Sequence, residues 1–171
     1  MTYRQKFSSK DPVWILHRFS DERDIEIAGL LTAAYAYGSV EQINRFINSF
    51  LETCSNSPYE FTINFQKRKD KKYLQGLKYR FNTADDLAEL LVSIAGILKK
   101  YNALKELFLS KLAEEDENIL YALSGFVSEL NSGMGKSRGK YYHYLLSDPA
   151  NGSTCKRMNL FLRWMVRRDE I

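Results

Sequence analysis

Apolar residues recur at three- and four-residue spacing along most of the chain, and strand-like alternation is scarce, so the pattern predicts helices nearly throughout. From Asp24 the positions Ile25, Ala28, Leu31 and Tyr35 repeat at helical spacing. Ile27, Leu30 and Ala34 make the opposite side apolar as well, which predicts a central, buried helix ending at Gly38. Ser39 with Gln42 forms a capping-box pattern that starts a second helix at once. Its stripe is Ile43, Phe46, Ile47, Phe50, Leu51 and Cys54, and it fades at Ser55-Asn56-Ser57-Pro58. Tyr59 to Phe65 is aromatic and β-branched, yet Pro58 suits a helical first turn, so a short helix is expected there.

Thr83 with Asp86 reads as another cap, followed by Leu87, Leu90, Leu91, Ile94, Ile97, Leu98 and Tyr101 on an amphipathic helix. Asp116 is the expected cap of a helix carrying Ile119, Leu123, Phe126, Val127 and Leu130, which Asn131-Ser132-Gly133 and Gly135 stop. Residues 133–153 read as loop, with turns at Asp148-Pro149 and Asn151-Gly152. A last helix starts at about Thr154. Within it Arg157, Leu160, Trp164 and Arg168 fall on one face, expected to be a basic, Trp-bearing surface. Met158, Phe161, Leu162, Met165 and Val166 are expected on the core side. The fold class is therefore all-α, a multi-helix orthogonal bundle, with residues 1–171 forming one helical domain.

Composition narrows the classes. With 171 residues, 44% hydrophobic and 27% charged, the chain is long enough for a real core and is neither disordered nor collagen-like. The densest apolar run, Ile25 to Tyr37, is broken by Glu26 and Thr32 and falls far short of the roughly 20 residues of a bilayer span. No membrane helix is expected. The polar N-terminus lacks a secretory signal, which makes the cytoplasm the expected compartment. Cys54 and Cys155 form no CxxC and read as buried free thiols.

Charge is uneven in a way the net +4 conceals. Residues 66–80 hold seven Lys or Arg against one Asp, and residues 133–171 hold eight against three acidic residues. Residues 81–132 reverse the balance, with four basic against nine acidic. Basic stretches gathered on one side of a compact domain are the electrostatic footprint of a phosphate-backbone binder, although a solvated face is the simpler account of any one run. Lys136, Arg138 and Lys140 adjoin Tyr141, Tyr142 and Tyr144, a basic and aromatic segment suited to phosphates and stacked bases.

Tests for catalytic chemistry come out empty. Gly135-Lys136-Ser137 resembles the end of a phosphate-binding loop, but Leu130 stands where its first glycine belongs, and a helix precedes it rather than a strand. His17 and His143 sit in no metal-ligand spacing, no HExxH or paired CxxC exists, and neither a metal nor another cofactor is expected. No GxSxG elbow or Cys–His pairing supports nucleophilic hydrolysis. Asp24 and Glu26 near a helix start are explained by capping and the helix dipole without catalysis. Asn151-Gly152-Ser153 matches a glycosylation sequon but reads as a turn.

Longer motifs carry a family resemblance. Asp11-Pro12-Val13, Asp24-Ile25-Glu26-Ile27-Ala28-Gly29, Ala36-Tyr37-Gly38 and the run Gly152 to Arg167 resemble a bacterial family of uncharacterised proteins. That family is distantly similar to the helix-hairpin-helix (HhH-GPD) DNA glycosylases. The resemblance implies part of the glycosylase fold, DNA as partner and a role near DNA repair. It places Lys136, Arg138, Lys140, Lys156, Arg157, Arg163, Trp164 and Arg167 near nucleic acid. The superfamily's DNA-gripping hairpin and catalytic residue lie beyond the matched region, so no catalytic residue is assigned. The resemblance implies an N-terminal part of a longer protein, inactive by itself, whose unpaired apolar surface would promote self-association. The competing expectation is a non-catalytic helical module that binds nucleic acid or a protein partner.

Overall fold

The computed structural model describes residues 11–133, 135 and 141–166, the side chain of His143 excepted. The fold is all-α. Among the described residues no strand forms, and the only extended pairing is a bridge between Tyr79 and Asn82.

A 3-10 turn, Pro12–Arg18, opens the described chain, with the Asp11 side chain accepting from the Val13 N–H at 3.0 Å. Helix α1, Glu22–Ala34, is capped by Asp21, whose carboxylate accepts from the Arg23 N–H at 2.9 Å. Every residue from Ile27 to Ala34 is buried, as a helix apolar on all sides requires. The helix ends before the expected Gly38, because Tyr35 to Tyr37 leave the helical path and Gly38 turns the chain at φ +105°. Helix α2, Val40–Thr53, starts where the Ser39 hydroxyl accepts from the Gln42 N–H at 3.3 Å, and it buries the expected stripe. Helix α3, Pro58–Asn64, settles the ambiguous aromatic segment as helical.

The basic run folds as a short helix α4, Lys67–Asp70, and a 3-10 turn, Lys71–Leu74. Helix α5, Ala84–Tyr101, begins at the expected Thr83, whose N–H donates to Asp86 Oδ2 at 2.8 Å. Helix α6 spans Leu104–Leu109, and α7 spans Leu120–Ser132. Asp116 does not cap α7. Its carboxylate turns back to the Ala113 N–H at 3.0 Å, while Asn118 accepts from the Leu120 N–H at 2.9 Å. Ile119 therefore precedes the helix and is exposed. Turns at Tyr142–Tyr144 and Pro149–Asn151 lead to α8, Lys156–Val166.

Two helices organise the packing. Helix α1 lies against the 12–18 turn, α2, α3 and α8; helix α5 lies against α3, α4, α6 and α7. Buried side chains from Val13 to Trp164 form a continuous cluster between them. Helix α8 approaches α1 closely because Gly29 has no side chain: a Cβ there would stand 2.8 Å from Met165 Cε and 3.5 Å from Phe161 Cε2. No helix among the described residues is long and apolar enough to cross a membrane.

The carboxylates of the Asp24–Glu26 motif cap helices, but not their own. Asp24 Oδ1 accepts from the Tyr59 N–H at 2.9 Å, in the first turn of α3. Glu26 accepts from the N–H groups of Leu104 at 2.9 Å and Lys105 at 3.1 Å, the first two residues of α6. Those amides lack partners within their own helix, and each anion sits at the positive end of a helix dipole. One turn of α1 thus anchors the starts of two other helices.

Candidate nucleic-acid interface

The features that single out a site converge where α1 ends. Tyr37 and Gly38 face the hairpin-like turn Tyr79-Arg80-Phe81-Asn82, in which the N–H of Tyr79 donates to the Asn82 carbonyl and the N–H of Asn82 to the Tyr79 carbonyl, both at 2.9 Å. A turn this tight forces Arg80 into the left-handed region at φ +52°, leaving Arg80 and Phe81 at its exposed tip. Tyr37 and Tyr79 lock together edge to face with ring centroids 5.0 Å apart, and the Tyr79 hydroxyl donates to the Tyr37 carbonyl. The Tyr37 hydroxyl donates to Asn82 Oδ1. Burial pushes the Tyr37 hydroxyl up to about 12, with Tyr79 adding and the Arg157 and Arg80 charges opposing, so it stays a neutral donor. Gly38 is required here by its backbone and by space: a Cβ would lie 2.9 Å from Arg80 Nη1 and 3.0 Å from the Tyr79 hydroxyl.

Asn82 is almost fully buried and ties a third segment to this turn, since its Nδ2 donates to the Tyr141 carbonyl at 3.2 Å. That bond sets Phe81, Tyr141 and Tyr144 in a row, with centroids 5.2 Å and 6.1 Å apart and ring planes tilted by 37° and 28°. These rings are 53%, 37% and 49% exposed.

Two cations flank the site. The Arg157 guanidinium lies 5.3 Å from the Tyr37 ring centroid, and that of Arg80 lies 5.9 Å from the same ring and 5.5 Å from the Phe81 ring. Arg157 is half-buried, and desolvation is the first cause lowering its pKa. Among the described residues no carboxylate lies within ion-pairing distance of it. On the other side of the turn opens a cleft of about 380 Å³, whose walls include Arg45, Lys78, Tyr79 and Arg80.

Sequence-derived site residues are distributed unevenly around this centre. Arg157 belongs to it. Lys156 and Arg163 are exposed on the outer face of α8. Trp164 is 9% exposed and packs in the core with Met158 and Phe161, so its ring is not offered to a ligand. The expected faces of α8 are rotated: Arg157 and Trp164 lie toward the core side, Leu162 is half-buried and Val166 is 76% exposed. The helix carries apolar residues around most of its circumference, and docking beside Gly29 selects which of them go inward. Lys136, Arg138, Lys140 and Arg167 lie outside the described residues, and so does Arg168.

The basic run at 66–80 is partly structural. Lys67 pairs with Glu89, which is 2% exposed and also accepts from the Gly135 N–H at 3.0 Å, and Lys71 pairs with Asp85 at 2.6 Å. Tyr37, Tyr79, Arg80, Phe81 and Asn82 were not among the sequence-derived candidates. The alternation Lys78-Tyr79-Arg80-Phe81, basic and aromatic like the segment at 136–144, is the signal that marks them.

Cys54 and Cys155 are buried and unpaired; their thiols donate to the carbonyls of Leu51 at 3.3 Å and Ser147 at 3.0 Å. Burial holds Cys54 up at about 11. Among the described residues no three His, Cys, Asp or Glu side chains gather as a metal site.

No curated protein and no solved structure matches the chain. A family model described as a protein of unknown function (DUF2400) matches residues 11–171, and it carries no statement about DNA glycosylases. The chain, with its Tyr37–Arg157 centre inside the matched span, belongs to that family.

Proposed function

We propose that this protein binds nucleic acid across the face formed by Tyr37, the 79–82 turn, Tyr141, Tyr144 and the start of α8. The observation that carries the reading is Arg157. A half-buried guanidinium costs free energy to desolvate, and retention with no carboxylate partner among the described residues fits a site whose anion comes from outside. A cation–π contact with the Tyr37 ring helps to hold the planar donor fork in place, an arrangement well matched to a phosphate. Arg80 adds a second cation within the same turn, and Lys156 and Arg163 extend positive charge along the outer face of α8. The described side chains supply contacts for binding, and no catalytic residue is assigned. The resemblance to base-excision enzymes is the reason to include damaged duplexes among the probes.

The test is binding of a fluorescent oligonucleotide, as single strand, duplex and duplex with an abasic site, measured over a range of salt. Arg157→Gln is expected to weaken binding about tenfold and to reduce the log–log salt slope on duplex by about 0.9, the share of one phosphate contact. Melting temperature measured alongside separates this from unfolding, and Arg157→Lys is expected to restore part of the affinity. Absence of binding by the wild-type chain at low salt would overturn the proposal. So would an unchanged affinity and slope in a folded Arg157→Gln variant.

A further inference from the structure

Resting on that nucleic-acid reading, we infer that the surface selects unpaired bases. The bound form would be a single strand whose bases stack on the Phe81–Tyr141–Tyr144 row while its phosphates follow Arg80 into the cleft beside Lys78 and Arg45. Three observations point the same way. The row offers successive exposed rings at 5.2 Å and 6.1 Å spacing, small enough for neighbouring nucleotides of one strand to reach adjacent rings. Its geometry is held from beneath: Asn82 bonds the Tyr141 carbonyl and receives the Tyr37 hydroxyl, so the rings stand on buried polar contacts rather than on a free loop. Cations adjoin the rings, with Arg80 over the Phe81 ring and also in the wall of the cleft that holds Lys78 and Arg45.

The combination of rings and cations matters. A duplex presents phosphates outside and hides the faces of its bases, so exposed rings gain nothing from it. A single strand presents both, and stacking on aromatic side chains is tolerant of sequence because every base has a π-face. Among forms of nucleic acid, a row of exposed rings beside a cationic cleft therefore favours unpaired nucleotides.

The inference is tested with one 12-nucleotide DNA sequence in three forms: single-stranded, fully paired, and single-stranded with abasic sites replacing the central bases. Wild-type protein is expected to prefer the intact single strand over both others. Phe81→Ala and Tyr144→Ala, both at exposed positions, are each expected to lower single-strand affinity about 5- to 150-fold and leave the salt slope unchanged. Lys78→Gln is expected to reduce that slope by about 0.7 and leave the preference for intact bases unaltered. If duplex and single strand bind equally and the two ring variants have no effect, the selection of unpaired bases is refuted while nucleic-acid binding stands. If no form binds at low salt, the underlying reading fails as well.

Discussion

Replacing Glu26 by alanine removes an acceptor that α6 takes from another helix, and the structure sets the size of the effect. The carboxylate satisfies two otherwise unpartnered amides, those of Leu104 and Lys105, at 2.9 Å and 3.1 Å. Loss of a helix cap costs about 0.5–2 kcal/mol, and two hydrogen bonds to an ionised group place this case at the upper part of that range. Burial works against the ionised form: desolvation is the first cause raising the Glu26 pKa, and it outweighs the two amide bonds that lower it. A net loss of about 1–2 kcal/mol is expected for Glu26→Ala, or about 2–8 °C in Tm for a chain of this size.

Glu26→Gln removes the charge but keeps an acceptor oxygen for only one of the two amides, which bond to separate carboxylate oxygens, so it is the pH dependence of its stability relative to wild type that reports the charge. The folded-state pKa lies above the ordinary value of 4.5, so the native state holds the proton more tightly than the unfolded chain. The contribution of this group is therefore fully present below about pH 4.5 and declines as pH rises through the raised value. Relative to wild type, Glu26→Gln should thus gain stability as pH rises from 4 to 7. Thermal denaturation of the three proteins across that range, followed by circular dichroism, measures both effects. An unchanged Tm in Glu26→Ala would refute the cap, and a Gln variant that loses ground to wild type as pH rises would show that the amide bonds, not burial, dominate.

Two further outcomes test the packing of α8. Trp164→Ala should cost about 3–5 kcal/mol in urea unfolding, the usual loss for a large aromatic in a core; a change below about 1 kcal/mol would return Trp164 to the surface. Gly29→Ala should be nearly neutral, since the flexible end of Met165 can yield and alanine gains about 1 kcal/mol of helix propensity. Gly29→Val should destabilise by about 1–3 kcal/mol because its branches also meet Leu16 and Phe161. Equal stability of the two variants would show that α8 does not rest on that glycine.

How much was legible in the sequence varied with how locally each feature is determined. The starts of α2 and α5 could be read from Ser39 and Thr83, because a cap bonds to amides two or three residues away. Asp116 failed as the cap of α7, since the competing Ala113 amide is equally near in sequence and periodicity does not choose between them. The buried character of α1 followed from residues apolar on every side. The orientation of α8 did not follow, for it has apolar residues on several sides and its tertiary contacts, with Gly29 and Phe126 among them, select which go inward.

The candidate site shows the same division. Sequence by itself determined the all-α class, one central buried helix, a long amphipathic helix after Thr83, the buried free thiols and the presence of basic–aromatic segments, because each depends on periodicity or composition within one stretch of chain. It also determined Arg157 as a candidate. Only tertiary structure decided that Arg157 meets Tyr37 across 120 positions of sequence, that Asp24 and Glu26 cap α3 and α6 rather than α1, and that Lys67 and Lys71 are engaged by acidic residues of α5. Those contacts join residues far apart along the chain. A side chain's pattern records its preference for burial or water, and its partner is settled by which helices pack together.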